Sequence, residues 1–76
     1  ASKIRLYPNP VRELLTVKTE QIEVTEIAIF NLQGELIERV KDSNTRTVDV
    51  SEYSNGTYLI DITTEEGTIR KKWVKM

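Results

Sequence analysis

Residues 57–63 read Thr-Tyr-Leu-Ile-Asp-Ile-Thr, and this stretch decides the fold. In an extended chain, successive side chains point to opposite faces, so Tyr58, Ile60 and Ile62 share one face. The other face is more polar. This alternation predicts a β-strand that buries one face against a core.

Similar short β-prone runs recur along the chain between turn signals, at a mean spacing of about 11 residues. That spacing is typical of an all-β sandwich or barrel. Other inward-facing pairs follow from the same alternation. The seven predicted strand centres are Arg5, Thr16, Ile29, Glu38, Val48, Ile60 and Lys71. The residue pairs predicted to share a face are Ile27 with Ile29, Leu36 with Val40, and Val48 with Val50.

Three glycines mark turns at which a positive φ is expected. Gln33-Gly34 and Glu66-Gly67 are predicted to join neighbouring strands as tight hairpins. Asn55-Gly56 is predicted to end a wider connection from Val50, in which Tyr53 plugs the edge of the core.

The segment Tyr7-Pro8-Asn9-Pro10 is predicted to be stiff and extended. Each proline fixes φ, removes an amide donor and restricts the residue before it, so the segment cannot lie in a central strand. We expect it to end an edge strand, with Tyr7 capping the core. A turn or a single helical turn is expected next, followed by a strand from about Leu14.

Composition limits the possible functions. The 76 residues are enough for one domain, and they include no cysteine and no histidine. This excludes Cys/His zinc sites, thiol nucleophiles and Ser-His-Asp triads, and we expect no metal and no cofactor. The net charge of −1 gives no overall attraction to nucleic acid or an anionic membrane. No apolar run is long enough for membrane insertion. With no signal peptide before Ser2, the chain is expected to be cytosolic or a piece of a longer precursor.

The last block, residues 70–75, is Arg-Lys-Lys-Trp-Val-Lys. Strand alternation places Lys71, Trp73 and Lys75 on one side and Lys72 on the other. Lysines on an edge strand block edge-to-edge aggregation. The same residues could also form an electrostatic and aromatic handle for a partner, and both roles can hold together.

Four blocks in a fixed order resemble the type A C-terminal sorting domain of cargo proteins of the type IX secretion system. The similarity covers Ile4 to Lys75, nearly the whole chain. Three departures are conservative: Glu13 where the family often has Asp, Ile60 in place of Leu, and Trp73 in place of Phe. The blocks are Leu6-Tyr7-Pro8-Asn9-Pro10-Val11, Ile29-Phe30-Asn31-Leu32-Gln33-Gly34, residues 50–60, and residues 70–75.

This resemblance implies a seven-stranded immunoglobulin-like antiparallel β-sandwich, with residues 1–76 forming a single C-terminal sorting domain. It implies a non-catalytic export signal for an N-terminal passenger in the same precursor. The outer-membrane translocon would read the signal, and a sortase-like peptidase would remove it. The passenger would travel through the periplasm to the outer-membrane surface or the extracellular space.

Site residues follow from the same resemblance. The residues expected to contact the partner are Lys71, Lys72, Trp73 and Lys75, with Gly56 and Tyr58 setting the shape beside them. The residues expected to have structural roles in the motifs are Tyr7, Pro8, Asn9, Pro10, Asn31 and Gly34.

Two other classes of function remain open at this stage. A carbohydrate-binding or adhesive β-sandwich of a secreted enzyme needs an exposed aromatic platform, so the burial of Trp73 discriminates it. A small enzyme has little support, because Glu65-Glu66 precedes a turn glycine and is expected to be solvated. A calcium site is not expected either, since no Asp-x-Asp loop is present.

Overall fold

The computed structural model describes residues 4–8, 10–20, 22–41 and 47–76. They form seven β-strands in two antiparallel sheets, so the predicted all-β immunoglobulin-like sandwich is confirmed. Each predicted strand centre lies inside a strand. The strands are β1 (Ile4–Tyr7), β2 (Leu14–Thr19), β3 (Val24–Phe30), β4 (Leu36–Val40), β5 (Thr47–Asp49), β6 (Gly56–Thr64) and β7 (Gly67–Lys75).

One sheet has the order β1-β2-β5 and the other has the order β4-β3-β6-β7. The longest strands, β6 and β7, pair along their whole length, from Gly56 opposite Lys75 to Thr64 opposite Gly67. Strand β7 therefore forms one edge of the four-stranded sheet. The part of the chain that the structure describes contains no helix long and apolar enough to span a membrane.

The core lies between the sheets and is built from the alternating residues that the sequence indicates. Ile60 and Ile62 are fully buried, and Tyr58 is half-buried on the same face. Burial of branched aliphatic side chains supplies most of the stability of so small a domain, which has no disulfide. The other buried members of the core are Ile4, Val11, Leu15, Val17, Val24, Ile27, Ile29, Val48, Val50 and Trp73.

The prediction that Leu36 and Val40 share a face is wrong. The β3–β4 register shifts between Ile29 and Phe30, so Leu36 lies opposite Phe30 while Val40 lies opposite Ile27. A bulge of one residue transfers every side chain beyond it to the other face. Leu36 is consequently 47% exposed.

Tyr7 does not cap the core as expected, because it is 46% exposed. Leu6 lies opposite Val17 in the β1–β2 pair and packs against the core in its place. Since neighbours in a strand point to opposite faces, Tyr7 faces outward. The strand after the proline segment starts at Leu14 as predicted, and residues 10–13 form a bridge and bends without a helical turn.

The predicted turn glycines have positive φ, and Gly34 is the clearest case, at +88°. The β3–β4 loop spans five residues, so the tight hairpin predicted at Gln33-Gly34 is wrong. The Asn31 side chain orders this wider loop, because its Oδ1 accepts the amides of Gln33 and Glu35 at 3.0 and 2.9 Å. The β6–β7 turn is a tight hairpin as predicted, but its two loop residues are Glu65 and Glu66, one position earlier than the predicted Glu66-Gly67, and Gly67 begins β7.

Candidate recognition surface

The segment that follows β1 meets the last strand at the β7 edge of the four-stranded sheet. After β1 the chain leaves the three-stranded sheet, and Val11 forms a parallel bridge with Lys75. The Val11 amide donates to the Val74 carbonyl at 2.9 Å, and the Met76 amide donates to the Val11 carbonyl at 2.9 Å.

The proline segment explains this crossing between sheets. Pro8 lacks the amide that would continue the β1 ladder, and Pro10 fixes φ immediately before Val11. Pro8 and Pro10 are both exposed, and Asn9 lies outside the described residues. The Val11 side chain is 1% exposed and belongs to the core, so the crossing is anchored by burial.

A surface cleft of about 290 Å³ lies where β7 passes the start of the proline segment. Strand neighbours Lys71 and Lys72 point to opposite faces of the sheet, yet both line this cleft. It therefore lies at the edge of β7 and not on either face. We call it the edge cleft, and it is lined by Leu6, Pro8, Lys71, Lys72 and Trp73.

Trp73 lies at the centre of a cluster of three aromatic rings. It stacks on Tyr58, its register partner, at 4.9 Å between centroids and 21° between planes. Tyr53 packs against both rings, at 5.5 Å from Tyr58 and 6.0 Å from Trp73. Aromatic contacts of this kind add to the stabilisation from burial alone, so the cluster fixes the shape of the terminal block.

Hydrogen bonds hold the cluster in position. The Tyr58 hydroxyl donates to the Ser54 carbonyl at 2.6 Å, four residues upstream, like the tyrosine corner of immunoglobulin-like domains. The Tyr53 hydroxyl donates to Glu38 Oε1 at 2.7 Å. Burial, followed by this bond to a carboxylate, raises the pKa of Tyr53 well above its usual range.

Lys75 is buried, at 6% exposure, although it is a charged residue near the end of the chain. Its Nζ donates to the Tyr53 carbonyl at 3.2 Å, which compensates in part for the lost hydration of the ammonium group. Lys75 therefore ties the end of β7 to the β5–β6 connection.

Trp73 is 3% exposed and carries an unusual polar group. Its Nε1–H is, among the described residues, the one buried side-chain donor without a hydrogen-bond partner. Buried donors without an acceptor are rare in native proteins. The group lies in a side chain that also forms part of the wall of the edge cleft.

Arg70 lies on the outer face of the same strand and is paired internally. Its Nε and Nη2 donate to the two carboxylate oxygens of Asp61 at 2.7 and 3.0 Å. Its guanidinium also lies 5.5 Å from the centre of the Phe30 ring. The cationic groups that the cleft presents are therefore those of Lys71 and Lys72.

The structure gathers most of the sequence-predicted site residues at one edge. Lys71 is half-buried and Lys72 exposed at the edge cleft, while Trp73 and Lys75 point inward. Gly56 lies opposite Lys75, and Tyr58 lies opposite Trp73. The other predicted positions lie in two places. Pro8 lines the cleft, and Tyr7 and Pro10 are exposed near it. Asn31 and Gly34 lie in the β3–β4 turn, which β6 separates from β7.

Sequence reasoning missed Leu6, Val11 and Glu38 as parts of this region. The prolines signalled a break after β1, but they do not indicate where the chain goes next. Glu38 lies opposite Ile29, on the same face as Val40, as strand alternation alone indicates, but a glutamate in a strand gives no signal of a bond to Tyr53.

Among the residues that the structure describes, no group of three or more aspartates and glutamates could hold a metal ion. The main features of this surface are the small basic edge cleft and the buried aromatic cluster beside it.

A seven-stranded immunoglobulin-like sandwich with Lys71 and Lys72 at a cleft on one sheet edge is suited to recognition by a partner at its surface. The family model of the secretion system C-terminal sorting domain matches residues 5–76, and the chain belongs to this family, the sorting signals of the type IX secretion system. Such a signal directs export to the cell surface or the extracellular space.

Two relatives from Bacteroidetes support this membership. The chain is 33% identical over 73 residues to beta-agarase D of Zobellia galactanivorans, covering 95% of this chain and 15% of the agarase. It is 24% identical over 70 residues to ulvan lyase NLR42 of Nonlabens ulvanivorans, covering 90% of this chain and 13% of the lyase. The chain thus spans only a small part of the length of either relative.

Proposed function

We propose that this domain is a non-catalytic export signal for a passenger protein that lies N-terminal to it. The outer-membrane translocon of the type IX system binds the folded domain after the passenger has reached the periplasm. A sortase-like peptidase then removes the domain from the passenger. The domain is the substrate of that cleavage and has no active centre of its own.

The observation that carries the proposal is the match of residues 5–76 to a family of sorting domains. The two relatives are named as enzymes, and the matched region is a small part of each. This is what a transferable export signal attached to different passengers predicts.

The geometry supports recognition at the terminal strand. Lys71 and Lys72 line the edge cleft, and the exposed Lys72 is open to a partner. Trp73 and Lys75 are buried, and we propose that they act by fixing the course of β7. Gly56 lies opposite Lys75 and Tyr58 lies opposite Trp73 in the β6–β7 pair, so they help to fix the same part of β7.

A carbohydrate-binding role has weaker support. Sugar stacking requires an exposed aromatic face, and the single tryptophan is 3% exposed. Tyr53 and Tyr58 pack against it in the aromatic cluster. These three rings are therefore used inside the domain, and the exposed Tyr7 is a single ring outside that cluster.

The test is an export assay with a reporter protein fused before the domain, behind an inner-membrane signal peptide. We expect the reporter in the medium or on the surface of a host that has the type IX system. We expect it in the periplasm of the same host without the translocon. Mass spectrometry of the exported reporter should show that the domain has been removed.

The matched control is the same fusion with Ile60→Asp, which places a carboxylate at a fully buried position and should unfold the domain. Export of the intact fusion that does not depend on the translocon would refute the proposal. Equal export of the Ile60→Asp fusion would refute the claim that the folded domain is what the translocon reads.

A further inference from the structure

We propose that the edge cleft binds an extended acidic segment of a protein partner, which adds to β7 as an extra strand. The identity of that partner as a component of the export machinery rests on the proposed function. The mode of binding rests on the backbone of β7 and on the side chains beside it.

The first observation is the direction of the backbone groups. The Val74 carbonyl and the Met76 amide both bond to Val11, on the side of β7 that faces away from β6. Backbone groups alternate in direction along a strand, so those of Arg70 and Lys72 face the same outer edge. Among the described residues, no further backbone bond of this kind reaches that edge.

The second observation is that Val11 already uses this edge as a strand would. It accepts one hydrogen bond and donates another within a parallel bridge, just beyond Lys72. Pro8, which lines the cleft, has no amide to donate to β7. Among the residues that the structure describes, none but Val11 bonds to this outer edge, so another chain could pair with it from about Thr68 to Lys72.

The third observation is the charge of the surroundings. Residues 67–76 include four cations and no acidic side chain. Arg70 is paired with Asp61 and Lys75 with the Tyr53 carbonyl, which leaves the ammonium groups of Lys71 and Lys72. They point to opposite faces, so an added strand with carboxylates on both faces could pair with each.

Trp73 forms part of the wall beside which the added strand would lie. Its indole N–H is buried and has no acceptor, and its side chain lines the same cleft. A second copy of this chain fits less well, because pairing two β7 edges would bring lysines against lysines.

The test uses the reporter fusion, with a tryptophan-free reporter, and a short peptide of repeated Thr-Thr-Glu-Glu with both ends blocked, which places carboxylates on both faces of an extended strand. Trp73 is the single tryptophan of the domain, so its fluorescence reports occupation of the cleft directly. We expect a saturable change in its emission. We expect none with the corresponding threonine–lysine peptide.

Matched variants separate charge from fold. Lys71→Gln with Lys72→Gln should weaken binding of the glutamate peptide about tenfold, as expected for the loss of two exposed charge pairs. Arg5→Gln with Lys18→Gln removes two cations that oppose each other in the β1–β2 pair. This second double variant should bind the peptide as the unchanged domain does.

Backbone N-methylation of the peptide separates strand addition from simple charge attraction. Methyl groups on the set of alternate amides that faces β7 should abolish binding, while methylation of the other set should leave it intact. Equal binding of both methylated peptides, or no binding of any peptide, would overturn the proposal. So would a dimer in sedimentation experiments whose formation excludes the peptide.

The export assay keeps this proposal distinct from the proposed function. Normal export together with a failed titration refutes strand addition alone. A domain that binds the peptide through β7 but exports no passenger refutes the proposed function and leaves the binding site standing.

Discussion

Replacing Tyr53 with phenylalanine tests how the aromatic cluster is held. The hydroxyl donates to Glu38 Oε1 at 2.7 Å in a half-buried position, and the substitution leaves that carboxylate without this donor. Hydrogen bonds to charged groups contribute about 1.5–3 kcal/mol when buried, so partial exposure suggests a loss of about 1–2 kcal/mol. For a domain of this size, that corresponds to a fall in Tm of roughly 5–15 °C.

The same variant should change the dependence of stability on pH. Burial and the bond to Glu38 raise the pKa of Tyr53 in the fold, so folding favours the neutral phenol. This contribution is fully present below the pKa of an unfolded tyrosine, about 10, and is lost as the pH rises above it. Tyr53→Phe should therefore flatten the loss of stability between neutral pH and pH values above about 10.

The assay is urea denaturation followed by Trp73 fluorescence at neutral and alkaline pH. Tyr7→Phe is the matched control, because Tyr7 is 46% exposed, and it should change the free energy of unfolding by less than about 0.5 kcal/mol. A double-mutant cycle with Glu38→Gln should show coupling between the two side chains. Equal effects of Tyr53→Phe and Tyr7→Phe, or no coupling to Glu38, would refute this account of the cluster.

Three further predictions concern the turn and the terminal strand. Gly34→Ala should destabilise the domain by about 1–2 kcal/mol in urea denaturation, because its φ is +88° and an alanine is strained there; no change in unfolding free energy would contradict the assigned turn. Lys75→Met should cost about 1 kcal/mol by losing the bond to the Tyr53 carbonyl, whereas Lys75→Glu should cost about 3 kcal/mol or more by burying a carboxylate beside that oxygen. Equal stability of the two Lys75 variants would show that the site is solvated. Trp73 should emit at short wavelength and resist quenching by acrylamide, since it is 3% exposed; emission typical of a tryptophan in water would contradict its burial.

The strands were predictable because their signal is local. Alternation in residues 57–63 fixes which side chains face the core, and Ile60 and Ile62 are fully buried as expected. The same reasoning failed at Leu36, because a bulge in the β3–β4 pair places its side chain on the face opposite to that of Val40. A bulge depends on how two strands align, and one strand's sequence does not specify it.

The recognition surface was predictable only in part. The lysines of the last block suggested a binding site for a partner, and Lys71 and Lys72 do lie at the edge cleft. The burial of Lys75 could not be anticipated, because lysine is almost never buried without a partner. The bridge between Val11 and Lys75 joins positions at opposite ends of the chain, and no local pattern encodes such a contact.

The central claim is that a partner reads the folded domain at the edge of its last strand. The most direct measurement is the exported fraction of a reporter fused to the Lys71→Gln, Lys72→Gln domain, compared with the Arg5→Gln, Lys18→Gln domain at matched thermal stability. We predict that export falls severalfold for the first and is unchanged for the second. Equal export of both fusions would contradict the account.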